Sequence, residues 1–270
     1  MLIVSDLDGT LLNSEKTVSE RSYKIINEYI KNGGLFSVAT ARTAGTAVEM
    51  LKNINVNFPV ILMNGTMIYD INKEKYIKYE TIDKCDVEVI IDSVKNADAE
   101  GFLYVFNGEK IIAYYEEIST SIKEFYDLRK REEKYKVFKK TDDFLNHIDE
   151  ECVYFALMGK YDALSNVYEK IKNMNLTLNM YEDIYEKGLY YLEISSADAK
   201  KGIAVRFLKD MCNDDKTIVF GDNLNDLDMM EYADLFVAPD NAHKSVKEKA
   251  HFICKSNNDD GVSLYIKENL

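Results

Sequence analysis

Two aspartates directly follow the first apolar segment of the chain, and their type and spacing suggest chemistry. Leu2 to Ser5 reads as a buried strand, and Asp6 and Asp8 come after it, with Gly9 permitting a tight turn. Carboxylate oxygens are ligands that Mg²⁺ prefers, and a carboxylate beside a cation can attack an anionic phosphoryl group. A surface turn with a capping acid explains this segment equally well when it is taken alone.

Polar groups also follow two other predicted strands. Thr40 ends the apolar run LFSVAT, and Asp222 and Asn225 follow the run TIVF. The Thr40 hydroxyl and the backbone N–H groups after it could bind phosphate oxygens, or the threonine could cap the next helix. Arg42 could neutralise substrate charge or be an ordinary exposed arginine. Because ligands of open α/β sheets bind outside the carboxyl ends of the strands, these segments are expected to meet at one crevice.

Two further segments carry candidate residues. Lys200 and Lys201 precede Gly202 at the head of a predicted helix. A lysine there could stabilise charge on a transferred phosphoryl group, although lysines on a solvated helix are common. The segment GDNLND (221–226) has five residues of six that are Gly, Asp or Asn directly after a buried strand, and an Asx turn is its structural alternative.

The elements that must position these residues alternate at both ends of the chain. Helices are predicted over 17–32 and 43–53, between apolar strands, and this alternation is typical of a doubly wound parallel α/β sheet. The middle of the chain instead predicts hairpins turning near Asn72 and at Asn107–Gly108, which favours an antiparallel α+β arrangement. The other elements predicted there are helices over 86–99, 117–130 and 161–174 and strands near 152–158 and 176–181.

These patterns predict two domains. The core comprises 1–82 and 189–270, with the run YYLEIS (190–195) as the strand at which the βα alternation resumes. Residues 83–188 form an inserted α+β domain.

Composition and charge restrict the function. The 270 residues carry a formal net charge of −13, which argues against nucleic acid and anionic membranes as partners. No apolar run approaches the roughly 20 residues of a membrane span, so a cytoplasmic protein is expected. The four cysteines and three histidines are not spaced as zinc ligands, and reduced, buried thiols are expected. These residues are Cys85, Cys152, Cys212, Cys254, His147, His243 and His251.

In combination, four segments resemble the signatures of the haloacid dehalogenase superfamily in order and spacing. They are DLDGTLL (6–12), VATAR (38–42), AKKG (199–202) and GDNLNDLDMM (221–230). Asn64–Gly65, the large insertion between the second and third signatures, and the closing run APDNAHKSVKEKAHFICKSNNDDGV are similar to the Cof-type sugar-phosphatase branch (HAD-IIB). The resemblance implies a Rossmann-like core with an inserted cap domain that determines substrate specificity.

The resemblance also implies roles for the acidic residues and the lysine. Asp6 would be the nucleophile and a Mg²⁺ ligand, and Asp8 would be the acid/base and bind Mg²⁺ through its backbone carbonyl. Asp222 would bind Mg²⁺, and Asp226 would support the metal shell. Lys201 would bridge phosphate and nucleophile, because it directly precedes the glycine; Lys200 is the competing candidate.

The phosphate would be bound, by the same resemblance, by Thr40, Ala41, Arg42 and Asn225. The family usually has glycine at the position of Ala41, so the backbone there is expected to approach the phosphate less closely. Pro239 and Asp240 stand where Met-Gly is more common, which is expected to alter the pocket wall rather than the chemistry.

The expected function is therefore Mg²⁺-dependent hydrolysis of a small phosphorylated metabolite, with a sugar phosphate favoured, through an aspartyl-phosphate. A phosphomutase would use the same intermediate but return the phosphoryl group. A non-enzymatic phosphoacceptor, such as a response-regulator receiver, would also use clustered acids, a threonine and a lysine. Receivers are much shorter, and Asp8 would hasten loss of the phosphoryl group. Neither oligomeric state nor substrate follows from the sequence.

Overall fold

The computed structural model describes all residues except 98, 118, 120–122, 124–125, 128–133, 184–185 and 213–215. The chain divides into two compact units, of which the first comprises Met1–Lys78 and Lys200–Leu270 and the second Tyr79–Ala199. The predicted limits of the insertion are 82/83 and 188/189. The second unit is thus longer at both ends than the predicted insertion.

The helices and strands are numbered in chain order. The strands are β1 (Leu2–Ser5), β2 (Leu35–Val38), β3 (Val60–Leu62), β4 (Met67–Asp70), β5 (Lys75–Tyr79), β6 (Glu100–Phe106), β7 (Ile111–Tyr115), β8 (Lys136–Lys140), β9 (Cys152–Gly159), β10 (Leu176–Glu182), β11 (Tyr190–Ser196), β12 (Thr217–Phe220), β13 (Leu235–Pro239) and β14 (Phe252–Cys254). The α-helices are α1 (Glu20–Lys31), α2 (Ala44–Met50), α3 (Lys84–Ala97), α4 (Tyr161–Ile171), α5 (Lys201–Met211), α6 (Lys244–Lys247) and α7 (Gly261–Asn269).

The first unit is built on a parallel sheet with the strand order β14-β13-β12-β1-β2. β1 pairs in parallel with β12 on one side and with β2 on the other. The chain therefore leaves β1 in one direction and returns on its other side, which creates a topological switch point between β1 and β12. The prediction of a mixed α/β fold with a parallel-sheet core is confirmed.

A small three-stranded sheet adjoins β2. It has the order β3-β4-β5, and Ala39 forms a parallel bridge with Ile61. β4 and β5 are neighbours, as the predicted turn near Asn72 requires. The carboxyl end of β3 thereby lies next to that of β2.

Helix α1 is shorter than the predicted 17–32. It begins after Ser19, whose hydroxyl oxygen accepts the Ser22 N–H, and this N-cap fixes the start of the helix. Ile26 lies on the buried face of α1. Gly33, with φ of +92°, lies in the connection from α1 to β2.

The second unit has a six-stranded sheet in the order β10-β11-β9-β6-β7-β8. Neighbouring strands are antiparallel except β7 and β8. The predicted hairpin at Asn107–Gly108 is confirmed by the β6–β7 pair. Apolar side chains of α3 and α4, among them Val87, Ile90 and Leu164, form one buried cluster with sheet residues such as Phe155 of β9.

Strand β11 corrects one expectation. The predicted core segment 189–270 includes YYLEIS, but β11 pairs antiparallel with β9 and β10. Leu192 and Ile194 are buried and alternate with the less buried Tyr191 and Glu193. Such alternation is typical of an antiparallel strand with two different faces rather than of a strand buried on both.

Other expectations for this region have mixed outcomes. β8 was not predicted, and the predicted helix over 117–130 falls largely outside the described residues. All four cysteines are unbridged, but only three are buried, since Cys85 is exposed. Within the part of the chain that the structure describes, no helix combines the length and hydropathy that crossing a membrane requires.

Candidate active site

The predicted site residues lie at the carboxyl ends of three neighbouring strands of the first unit. Asp6 follows β1, Thr40 lies just after β2, and Asp222 follows β12. The Asp6 N–H donates to the carbonyl oxygen of Phe220 at 2.9 Å, which ties the first residue after β1 to the last residue of β12. The switch point of the sheet thus brings three separate segments together.

Lys201 lies at the centre of this group. Its Nζ donates to Asp6 Oδ1 at 2.6 Å and to Asp226 Oδ1 at 2.7 Å. All three residues are buried, and Lys201 is only 2% exposed. Lys200 is exposed at the N-cap of α5. The structure therefore places Lys201, and not Lys200, beside the predicted nucleophile.

Three carboxylates form a potential cation site. Among the described residues, this group consists of Asp6, Asp222 and Asp226, with one oxygen of each within 4.8 Å of the others. Thr10 Oγ1 donates to Asp222 Oδ1 at 2.8 Å, and Asp226 Oδ2 accepts the N–H groups of Asp222 and Asn223 at 3.0 Å each. These hydrogen bonds fix the orientation of two of the three carboxylates.

The electrostatics of the cluster favour a further positive charge. Burial raises the pKa of Asp6 to about 8, although the nearby Lys201 lowers it. Burial also raises the pKa of Asp222 to about 6, against the hydrogen bond from Thr10. Burial lowers the pKa of Lys201, but Asp6 and Asp226 outweigh this effect, so its pKa is raised and it remains an ammonium. Three carboxylates thus face one ammonium, and their hard oxygen donors fit a divalent cation such as Mg²⁺.

Asp8 has different surroundings. Its two carboxylate oxygens accept a bidentate pair of hydrogen bonds from Arg42, at 2.7 Å from Nε and 2.6 Å from Nη2. The Asp8 side chain is 48% exposed, and it is not part of the carboxylate group around Lys201. Arg42 is therefore not simply a solvated arginine, because its fork-shaped side chain holds Asp8 in one orientation.

In the loop after β2, the contacts of Thr40 differ from those of a helix cap. Thr40 is buried, and its hydroxyl oxygen accepts the Arg42 N–H at 3.2 Å. The N-cap of α2 is Thr43, so the alternative that Thr40 caps this helix is wrong. Ala41 is exposed between these residues. Asn225 is exposed as well, and its Nδ2 donates to Asn64 Oδ1 at 3.3 Å.

Gly9 shows why the first motif requires a glycine. Its φ is +79°, and a Cβ added there would lie 2.4 Å from Asp222 Oδ2. A side chain at this position would be strained and would also displace a carboxylate of the cluster.

Part of the fourth motif has a structural role. Asn223 Oδ1 accepts the Leu224 N–H and caps the 3₁₀-helix Leu224–Tyr232, while Asp226 completes a capping box. Asp226 thus both orders the turn and binds Lys201. One carboxylate oxygen of Asp226 therefore accepts the backbone hydrogen bonds of the turn, and the other accepts the hydrogen bond from Lys201.

Sequence reasoning missed two polar residues of the site. Thr10 binds Asp222, and Asp228 Oδ2 accepts the Gly202 N–H at 2.9 Å, which ties the fourth motif to the start of α5. Both residues lie inside the family motifs DLDGTLL (6–12) and GDNLNDLDMM (221–230), and this position was the signal that they could belong to the site. Their partners, however, are separated from them by 212 and 26 residues, and no local pattern indicates such pairs.

Comparisons with known proteins extend over nearly the whole chain. A family profile described as haloacid dehalogenase-like hydrolase matches residues 3–266. Phosphatase YwpJ of Bacillus subtilis is 27% identical over 292 residues, covering 98% of this chain and 98% of that protein. The 5-amino-6-(5-phospho-D-ribitylamino)uracil phosphatase YwtE of B. subtilis is 25% identical, covering 98% of this chain and 96% of that protein.

Solved structures agree in fold. A crystal structure of a Thermotoga maritima protein has a TM-score of 0.79 at 28% identity and covers 100% of this chain and 97% of that one. A sugar phosphatase of haloacid dehalogenase subclass IIB has a TM-score of 0.71 at 18% identity, covers 99% and 98% of the two chains, and shows likeness of fold alone. The family indicated by the four motifs is thus confirmed, and this chain belongs to the haloacid dehalogenase-like hydrolases.

Proposed function

We propose that this hydrolase is a Mg²⁺-dependent phosphatase that acts on a small phosphorylated metabolite through an aspartyl-phosphate on Asp6. The observation that carries the proposal is the buried Lys201 ammonium bound to both Asp6 and Asp226, with Asp222 beside them. This arrangement offers a nucleophilic carboxylate, a fixed positive charge and a set of oxygen donors at one point. The relatives named as phosphatases support the same reaction class.

The proposed reaction has two displacements at phosphorus. In the first, the Asp6 carboxylate attacks phosphorus, the bond from phosphorus to the ester oxygen breaks, and Asp8 donates a proton to the departing oxygen. In the second, Asp8 takes a proton from water, the water oxygen attacks phosphorus, and the Asp6 carboxylate leaves. Lys201 stabilises negative charge on the transferred group in both steps.

The cation would be held by Asp6, Asp222 and the backbone carbonyl of Asp8, with Asp226 in support. When bound, Mg²⁺ supplies positive charge that reduces repulsion between carboxylate and phosphate. Deprotonated Asp6 is needed for attack, and the burial that raises its pKa favours the protonated form. An added cation in this cluster would favour the carboxylate.

Substrate binding is assigned to residues of the loops around the cluster. Thr40, Ala41, Arg42 and Asn225 are proposed to bind the phosphate. Arg42 also orients Asp8, so it would link phosphate binding to the position of the acid/base.

Residues 83–188 are proposed as the specificity (cap) domain, and a sugar phosphate or a related phosphorylated polyol is the proposed substrate class. The name of YwtE, which includes a phosphoribityl group, supports this class. Action in the cytoplasm stays a prediction of the sequence analysis.

One experiment tests the reaction. Release of inorganic phosphate from an aryl phosphate is measured with Mg²⁺ and with EDTA, for the wild type, for Asp6→Asn and for the control Asp162→Asn, an exposed acid in α4. The wild type and the control should hydrolyse the ester only with Mg²⁺, and Asp6→Asn should be inactive. Hydrolysis that survives both EDTA and Asp6→Asn would contradict the proposal.

A further inference from the structure

The turn that follows β3 has an uncommon backbone. Three successive residues have positive φ, namely Met63 at 50°, Asn64 at 54° and Gly65 at 102°. Glycine adopts this region freely and asparagine does so more readily than most residues, but methionine does not. Such a run persists only when the surrounding structure holds it in place, and backbone strain of this kind clusters at functional sites.

Backbone contacts tie this turn to the loop after β2. The Met63 N–H donates to the Arg42 carbonyl oxygen at 3.1 Å, and the Asn64 N–H donates to the Thr40 carbonyl oxygen at 3.0 Å. The Thr66 hydroxyl closes the turn by donating to the Met63 carbonyl oxygen at 2.8 Å. The left-handed conformation therefore aims two N–H groups at the loop that carries Thr40 and Arg42.

The same turn packs against the start of α5. A Cβ added at Gly65 would lie 2.4 Å from the carbonyl oxygen of Lys200. Only glycine permits this close approach, and Lys200 directly precedes the buried Lys201. The turn thus contacts a second segment of the site.

The Asn64 side chain reaches a third segment. Its Oδ1 accepts a hydrogen bond from Asn225 Nδ2 at 3.3 Å. An amide nitrogen carries two N–H groups, so Asn225 keeps one further donor on the same nitrogen. The side-chain carbonyl oxygen of Asn64 can only accept a hydrogen bond. The contact therefore fixes the orientation of the Asn225 side-chain amide, with its nitrogen towards Asn64.

We propose that Asn64 is a positioning residue of the phosphate site, which orients the Asn225 amide so that its second N–H faces the phosphate. The inference rests on the proposed function, in which Asn225 and Thr40 bind that phosphate. Asparagine meets both requirements of the position, since it tolerates the left-handed backbone and carries an acceptor that reaches Asn225.

The test separates the side chain from the backbone. Asn64→Gly retains the left-handed backbone and removes the acceptor, so KM for an aryl phosphate and the inhibition constant of inorganic phosphate should each rise about 3- to 10-fold, the loss of one hydrogen bond. kcat should change less than about 2-fold, because the lost contact serves the bound and transition states alike. Asn64→Ala should show the same rise and a lower melting temperature than Asn64→Gly.

A double-mutant cycle tests whether Asn64 acts through Asn225. In an Asn225→Ala background, Asn64→Gly should cause no further rise in KM or in the inhibition constant of phosphate. The matched control is Glu74→Gly, which replaces another left-handed residue, with φ of 50°, in the connection from β4 to β5. This control should leave both constants unchanged.

Three outcomes would overturn the inference. They are unchanged constants in Asn64→Gly, an equal rise in the Asn225→Ala background, and a loss of kcat and melting temperature with KM unchanged. The same assay includes Asp6→Asn, which separates this inference from the proposed function. A wild type without Asp6-dependent hydrolysis overturns both, whereas normal hydrolysis with unaffected Asn64→Gly overturns this inference alone.

Discussion

Each unit of the molecule contains a buried lysine, and the two lysines lie beside different kinds of side chain. Lys201 in the first unit is 2% exposed and binds the carboxylates of Asp6 and Asp226. Lys136 in the second unit is 1% exposed, and its Nζ lies 5.4 Å from the ring centre of Tyr104 and 5.2 Å from that of Phe138. Burial alone therefore does not indicate catalysis. Lys201 contacts two of the three carboxylates of the candidate cation site, whereas Lys136 lies over aromatic rings of the six-stranded sheet, where a cation–π contact stabilises the fold.

The same substitution at both lysines should give the largest contrast. Lys201→Met removes the ammonium that is proposed to stabilise the transferred phosphoryl group, so kcat/KM for an aryl phosphate should fall by about 10³-fold. Lys136→Met should change kcat/KM less than about 3-fold and lower the free energy of unfolding by about 2 kcal/mol, because a desolvated cation–π contact is lost. Steady-state kinetics and denaturant unfolding measure both, and equal losses of activity would refute the distinction.

A pair of glycines should give the next largest contrast. Gly9 and Gly108 both have positive φ, but an added Cβ meets Asp222 Oδ2 at 2.4 Å at Gly9 and no atom within 4 Å at Gly108. Gly9→Ala should reduce kcat by about 10²-fold, since it displaces a carboxylate at the reacting centre. Gly108→Ala should cost about 1–2 kcal/mol of stability and no activity. An active Gly9→Ala enzyme would show that the cluster tolerates this displacement.

A pair of threonines, one in each unit, provides the next comparison, because the hydroxyl of each forms a side-chain hydrogen bond. Thr10 Oγ1 donates to Asp222 Oδ1 at 2.8 Å, and Thr141 Oγ1 lies 2.9 Å from His147 Nε2. Thr10→Val should weaken Mg²⁺ activation about 10-fold, because the hydrogen bond orients Asp222, a proposed ligand of the ion. Thr141→Val should leave Mg²⁺ activation unchanged. Titration of activity with Mg²⁺ measures this effect. Equal activation constants for the wild type and Thr10→Val would contradict the role of Thr10 in orienting Asp222.

The pH dependence of stability compares Asp6 in the first unit with an exposed acid of the second. The pKa of Asp6 is raised to about 8 in the folded protein, so between about pH 4 and pH 8 the folded state holds a proton that the unfolded state has released. The free energy of unfolding of the metal-free protein should therefore decrease as pH rises through this window. Asp222, with its pKa raised to about 6, adds to the decrease in the lower part.

Denaturant unfolding in EDTA at several pH values measures this slope. Asp6→Asn should make it shallower, because the amide does not titrate. The second unit provides the control in Asp162→Asn, an exposed acid that should leave the slope unchanged. An identical slope in the wild type and Asp6→Asn would show that Asp6 does not carry the proton.

The first unit could be predicted from the sequence to a greater extent than the second. Its parallel strands are short apolar runs that end in polar motifs, and the switch point brings the ends of those runs together. Local patterns predict that Asp6 and Asp222 meet at this edge of the sheet, and the structure brings both into one carboxylate cluster. The resemblance to the family motif favours Lys201 over Lys200, because Lys201 directly precedes Gly202, and the structure places Lys201 beside Asp6.

What the sequence did not reveal depends on long-range pairing. β11 was assigned to the wrong sheet because its pairing with β9 and β10 is not encoded in its own residues. The bidentate contact between Arg42 and Asp8 and the hydrogen bond between Thr10 and Asp222 join distant segments in the same way. Asn64 was noted only as part of a motif, since its left-handed backbone is a property of the folded turn.

Chemical trapping of the phosphorylated enzyme tests the central claim most directly. During turnover of an aryl phosphate, borohydride should reduce the acyl phosphate on Asp6 to an alcohol, so peptide mass spectrometry should find homoserine at position 6. Trapping should require substrate and should not occur in Asp6→Asn. Continued hydrolysis with an unmodified Asp6 peptide, or with the modification at Asp8 instead, would contradict the assignment of Asp6 as the nucleophile.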